Sequence, residues 1–99
     1  MRLRPQDVIA LRTAIYDVAP DTTAIRLFGS RLDDNARGGD VDLMIDVKQP
    51  VDNPAVLSAR LAVCASRVMS NRKVDIVLRA PNLMSSAIHQ IALDDGVVL

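Results

Sequence analysis

Ten residues in the middle of the chain, Gly38-Gly39-Asp40-Val41-Asp42-Leu43-Met44-Ile45-Asp46-Val47, constrain the fold more than any other stretch. Side chains of a strand alternate between its two faces. Val41, Leu43, Ile45 and Val47 therefore make one continuous aliphatic face that helices must cover. Asp40, Asp42, Met44 and Asp46 make the other, which opens with two carboxylates two residues apart. Carboxylates this close resist ionising together unless a cation neutralises them. A hard divalent ion such as Mg²⁺, which prefers carboxylate oxygen, resolves the conflict.

A later segment repeats the pattern. In Val74 to Leu78 the apolar face is Val74, Ile76 and Leu78, while Lys73, Asp75, Val77 and Arg79 form the other. If the two strands are neighbours, Asp75 lies beside Asp40 and Asp42. Three carboxylates on one sheet face suffice for a two-metal site, which aligns an attacking hydroxyl and a leaving pyrophosphate on a nucleotide α-phosphorus. Upstream, Ala24-Ile25-Arg26-Leu27-Phe28 reads as a strand running into Gly29-Ser30. Glycine lets a phosphate approach the backbone, and the serine offers an N–H and a hydroxyl to an anion. Arg31 and Arg37 flank this loop and are placed to contact phosphate oxygens. Taken singly, Gly-Ser marks a turn and Asp-x-Asp a solvated strand edge. Their conjunction with Asp75 points to a nucleotide–metal site.

The rest of the chain supplies covers for the sheet. Val8, Leu11, Ile15 and Val18 make a helical stripe within residues 5 to 18, started by Pro5 and ended by Pro20-Asp21. Leu57, Leu61, Cys64 and Val68 share one face of a helix over residues 55 to 69. Pro81-Asn82 opens a last helix, with Met84, Ala87, Ile88 and Ile91 on one side and Gly96 at its end. His89 is expected on that helix's surface or at an interface. Val97-Val98-Leu99 is read as an edge strand or a docked tail, and residues 31 to 39 as a short helix or loop and a turn. Helix, strand, turn, strand, helix, strand, helix gives an α+β (α/β) domain spanning 1–99, a small mixed sheet backed by helices.

Composition removes several function classes. Twelve basic and twelve acidic residues cancel, so no bulk field argues for direct nucleic-acid binding or an anionic membrane. Tyr16 and Phe28 are the only aromatics, too few for a base-stacking platform. The single cysteine, Cys64, excludes an intrachain disulfide and fits a reducing, cytoplasmic setting. Asp7 and Arg12 interrupt the first apolar stretch, which is neither a secretory leader nor a membrane span. Leu83, Met84, Ile88, Val97 and Val98 exceed the needs of so small a core and are candidates for an interface.

Apolar-Gly-Ser, then Asp-apolar-Asp-apolar about ten residues on, then a lone Asp on a later strand, resembles the DNA polymerase β-type nucleotidyltransferase superfamily. The short length resembles its minimal members, the MNT or MntA-like proteins. The match runs from the first helix to the closing Asp-Gly-Val-Val-Leu. Nine residues separate Ser30 from Asp40, one fewer than in many MntA-like proteins. The resemblance implies a sheet of the polymerase β palm type, with Gly29 and Ser30 holding nucleotide phosphates. It implies that Asp40 and Asp42 hold Mg²⁺, and that Asp75 assists the metal or deprotonates the acceptor hydroxyl. It also implies a partner: a HEPN-type ribonuclease toxin, which such antitoxins modify by transferring AMP from ATP to a tyrosine. Two other functions fit the same residues. One is a module that neutralises its partner by binding alone, and the other is an antibiotic-modifying nucleotidyltransferase.

Overall fold

A computed structural model describes residues 4–29 and 41–99 of the chain. Helix α1 covers Pro5–Val18, strand β1 Thr22–Phe28 and strand β2 Val41–Val47. Helix α2 covers Pro54–Val68, strand β3 Val74–Arg79, helix α3 Ala87–Asp95 and strand β4 Val97–Val98. The four strands form one mixed sheet in the order β3-β2-β1-β4. β1 runs antiparallel to both β2 and β4, and β2 runs parallel to β3. The parallel pair needs a crossover, and α2 supplies it.

The helices start where the sequence allows. Pro5 and Pro54 each sit in a first turn, where a missing N–H costs nothing. Asn53 caps α2 by accepting a hydrogen bond from the Val56 N–H at 3.3 Å. At the start of α1, the Arg4 N–H and guanidinium both donate to Asp7. Those hydrogen bonds hold the Asp7 carboxyl below the usual carboxylate range.

α1 and α2 pack on each other and on one face of the sheet. Leu11 and Ile15 from α1, with Leu61 and Ala65 from α2, meet Ile25, Leu27, Val41, Leu43, Ile45, Val74 and Leu78. This is the aliphatic face expected from the alternation in β2. Cys64 sits in the seam between the two helices, its thiol donating to the Ala14 carbonyl. Burying a Leu- or Ile-sized side chain stabilises by about 1.5–3 kcal/mol, so this cluster is the chief source of stability.

α3 lies on the opposite face and corrects the sequence reading in two ways. The helix begins at Ala87, not at Pro81-Asn82, because Ser86 caps it and residues 81–86 run irregularly. Its buried side is His89 and Ala92, whereas Met84, Ile88 and Ile91 face outwards. The reason is a pair of hydrogen bonds. The Ser86 N–H donates to His89 Nδ1 at 3.0 Å, which leaves Nε2 to carry the proton and donate to the Leu78 carbonyl at 2.8 Å. A histidine so tied can be buried, and with it Ala92 and Leu93 pack towards the sheet while Ile88 and Ile91 face away. Gly96 does end the helix, and Val97–Val98 does form an edge strand.

Candidate functional site

The site is built where β1 ends and β2 and β3 begin. Across the parallel pair, Asp42 is the direct register partner of Asp75, and across the antiparallel pair it faces Phe28. Register partners point to the same side of a sheet, and adjacent strands lie about 4.8 Å apart. Asp75, Asp42 and Phe28 therefore form one row on the face that carries α3. Asp42 is partly buried, and Asp75 is half exposed with its carboxylate 3.9 Å from the Lys73 ammonium.

Gly29 follows Phe28 and turns the chain with φ +77°, a left-handed conformation that side chains resist. A Cβ built on Gly29 would collide with Asp42 Oδ2 and stand 3.3 Å from its Cγ. The end of β1 and the Asp42 carboxylate are thus packed backbone against oxygen, in a space that only glycine leaves open. Of the predicted site residues, the structure brings Gly29, Asp42 and Asp75 together. Ser30, Arg31, Arg37 and Asp40 lie outside the described residues, so the third carboxylate and the phosphate-flanking arginines are not placed. Among the described residues no group of three metal-ligating side chains occurs.

The next rows of the same face show what closes the site off. Met44, paired with Val77 and Arg26, is fully buried beneath α3, where it packs with Phe28 and Ala92. One row further, Asp46 accepts from Arg26 Nη1 and, at 3.4 Å, from Arg79 Nη1, all through Oδ2. Four residues of strand separate Asp46 from Asp42, about 13 Å. Asp46 is thus a clamp across β1, β2 and β3 and no part of the carboxylate pair. That division was not legible in the alternation of β2, which puts Asp42 and Asp46 on one face alike. The signal that separates them is the arginine two residues before Phe28, opposite the buried end of the strand.

Solved structures share this fold. The chain superposes with a TM-score of 0.69 and 22% identity on a chain of a toxin–antitoxin crystal structure with AMP-PNP, over 97% of its own length and 72% of the other. It superposes with a TM-score of 0.68 and 19% identity on a chain from a tri-AMPylated Shewanella oneidensis HEPN toxin in complex with MNT antitoxin, over 97% and 71%. The chain has the fold of the MNT toxin–antitoxin structures. A third match, at 0.69 and 20%, is a MntA–HpeT toxin–antitoxin mutant with two aspartates, two positions apart, changed to glutamate, covering 97% and 71%. No protein-family model matches the sequence, and no curated protein matches it. The α+β fold expected from the sequence, a small mixed sheet backed by helices, is the fold observed. Among the described residues no helix is long and apolar enough to cross a membrane.

Proposed function

We propose that this chain is a Mg²⁺-dependent nucleotidyltransferase that moves AMP from ATP to a tyrosine hydroxyl of a HEPN-type ribonuclease toxin, and so acts as its antitoxin. The observation that carries the reading is the row of Asp75 and Asp42 closed by the Gly29 turn. The superposed structures support it by what they contain: AMP-PNP in one, an AMPylated HEPN toxin in another. The third carries its substitutions at the spacing that separates Asp40 from Asp42.

In-register carboxylates beside a glycine that leaves no room for a Cβ suit a hard cation, and Asp40, Asp42 and Asp75 are the residues that would hold Mg²⁺. When bound, Mg²⁺ supplies positive charge against the phosphates and the departing pyrophosphate. Gly29 and Ser30 bring backbone N–H groups and a hydroxyl to the triphosphate, and Arg31 and Arg37 bind its oxygens. The acceptor oxygen attacks the α-phosphorus, the bond from that phosphorus to the bridging oxygen of the β-phosphate breaks, and pyrophosphate leaves. The acceptor's proton passes to the Asp75 carboxylate. ATP as donor places the reaction in the cytoplasm.

The test is the intact mass of a candidate HEPN-type partner, the product of the neighbouring gene, after incubation with the chain, ATP and Mg²⁺. A gain of one or more AMP units, absent with Asp42→Asn, is expected. An unchanged mass, with a stable complex in solution, would leave binding alone as the means of neutralisation.

A further inference from the structure

Among the described residues Ile9 of α1 stands exposed singly, and two further surfaces expose several large aliphatic side chains each and differ in charge. On α2, Val56 and Val63 alternate with Arg60 and Arg67 along one exposed stripe, and α2 holds no acidic residue. On α3, Ile88 and Ile91 stand exposed on consecutive turns, Met84 precedes them at 91% exposure, and Asp94 and Asp95 follow. Val98, on the edge strand, pairs with Arg26 and so points to the same side of the sheet as α3. The acidic side chains on α3 are Asp94 and Asp95, and the helix carries no Lys or Arg. Scattered exposed aliphatics are ordinary, but a run of them rimmed by one sign of charge marks a contact surface.

A ribonuclease binds a polyanion and must present a basic surface to do so. Of the two faces, only the acidic-rimmed one complements such a surface, since the arginines of α2 would be repelled by it. α3 also lies on the side of the sheet that carries Asp42 and Asp75, and its Ala92 packs against Phe28, the residue opposite Asp42. A protein seated on α3 is thus beside the carboxylates that would act on it.

We infer that the outer face of α3, with Met84 and Val98, is where the partner ribonuclease docks. Ile88 and Ile91 enter an apolar patch on the partner, and basic residues around that patch meet Asp94 and Asp95. The inference rests on the proposed antitoxin reading and adds the surface that serves it.

The experiment titrates the fluorescently labelled HEPN-type ribonuclease with the wild-type chain and three double variants, each first checked for native circular dichroism. Ile88→Ser/Ile91→Ser is expected to raise Kd by at least about tenfold, as central apolar contacts do. Asp94→Asn/Asp95→Asn is expected to flatten the salt dependence of Kd, because it removes the long-range attraction. Val56→Ser/Val63→Ser on the opposite face is expected to leave Kd unchanged. If the α3 variants bind as tightly as wild type, the docking face is elsewhere while the antitoxin reading stands. If the wild type itself does not bind, both fall. If light scattering shows that the chain alone dimerises and Ile88→Ser/Ile91→Ser makes it monomeric, the face belongs to a second copy and the inference is overturned.

Discussion

Replacing Gly29 by alanine should act on stability through two separable effects. The first is backbone strain, since φ +77° costs a residue with a Cβ about 1–2 kcal/mol. The second is crowding. The new Cβ would collide with Asp42 Oδ2, with Cγ at 3.3 Å and the Asp42 Cβ at 3.5 Å. The carboxylate must swing off its preferred rotamer, at a cost of about 0.5–1.5 kcal/mol. Together these predict a loss of about 1.5–3.5 kcal/mol in the wild-type background. In an Asp42→Ala background the colliding atoms are gone and only the contact at 3.5 Å remains, which is ordinary packing. Gly29→Ala should then cost the backbone strain alone. Urea unfolding of the four proteins, followed by circular dichroism, gives the coupling directly, about 1 kcal/mol. Equal losses in both backgrounds would show that the end of β1 does not press on the Asp42 carboxylate. In the same variant, displacing that carboxylate should lower AMP transfer by about a hundredfold, the scale of a 1 Å misplacement.

His89→Ala should destabilise by about 1–3 kcal/mol, because the buried Leu78 carbonyl loses its donor and α3 its anchor; thermal unfolding reads this as a clear drop in Tm. Asp46→Ala leaves the Arg26 guanidinium, whose side chain is only 20% exposed, without its carboxylate, and should cost about 3 kcal/mol or more in denaturant melts. Leu61→Ala opens a cavity in the fully buried seam between α2 and the sheet and should cost about 2–5 kcal/mol in the same melts. The Asp7 carboxyl is held below its ordinary value by the Arg4 hydrogen bond, so its contribution is present at neutral pH and lost in acid. The Tm gap between wild type and Asp7→Asn should therefore close as the pH falls below about 4.

The sheet and two of its helices were legible because each has a single strong period. The alternation of β2 assigned Val41, Leu43 and Ile45 to the covered face, and the stripes of α1 and α2 named Leu11, Ile15 and Leu61 as what covers them. The pairing of Asp42 with Asp75 followed once β2 and β3 were taken as neighbours, and the register places the two side by side. α3 was misread because periodicity assigns the aliphatic side inwards. Here two hydrogen bonds at His89 outweigh that preference and hold the helix the other way round. Met44 and Asp46 share a face with Asp42, yet one is core and the other an ion-pair hub. Strand alternation reports which face a residue takes, but not which part of that face a helix will cover.

Whether these carboxylates direct transfer of a nucleoside monophosphate to a HEPN-type partner is read from the position of the label. ATP labelled at the α-phosphate and ATP labelled at the γ-phosphate are each incubated with the chain, Mg²⁺ and the partner. Label is expected on the partner from the α-labelled nucleotide only, lost with Asp42→Asn and with Asp75→Asn while both variants keep the native fold. Label from the γ-phosphate, or α-label undiminished in the aspartate variants, would contradict that reading.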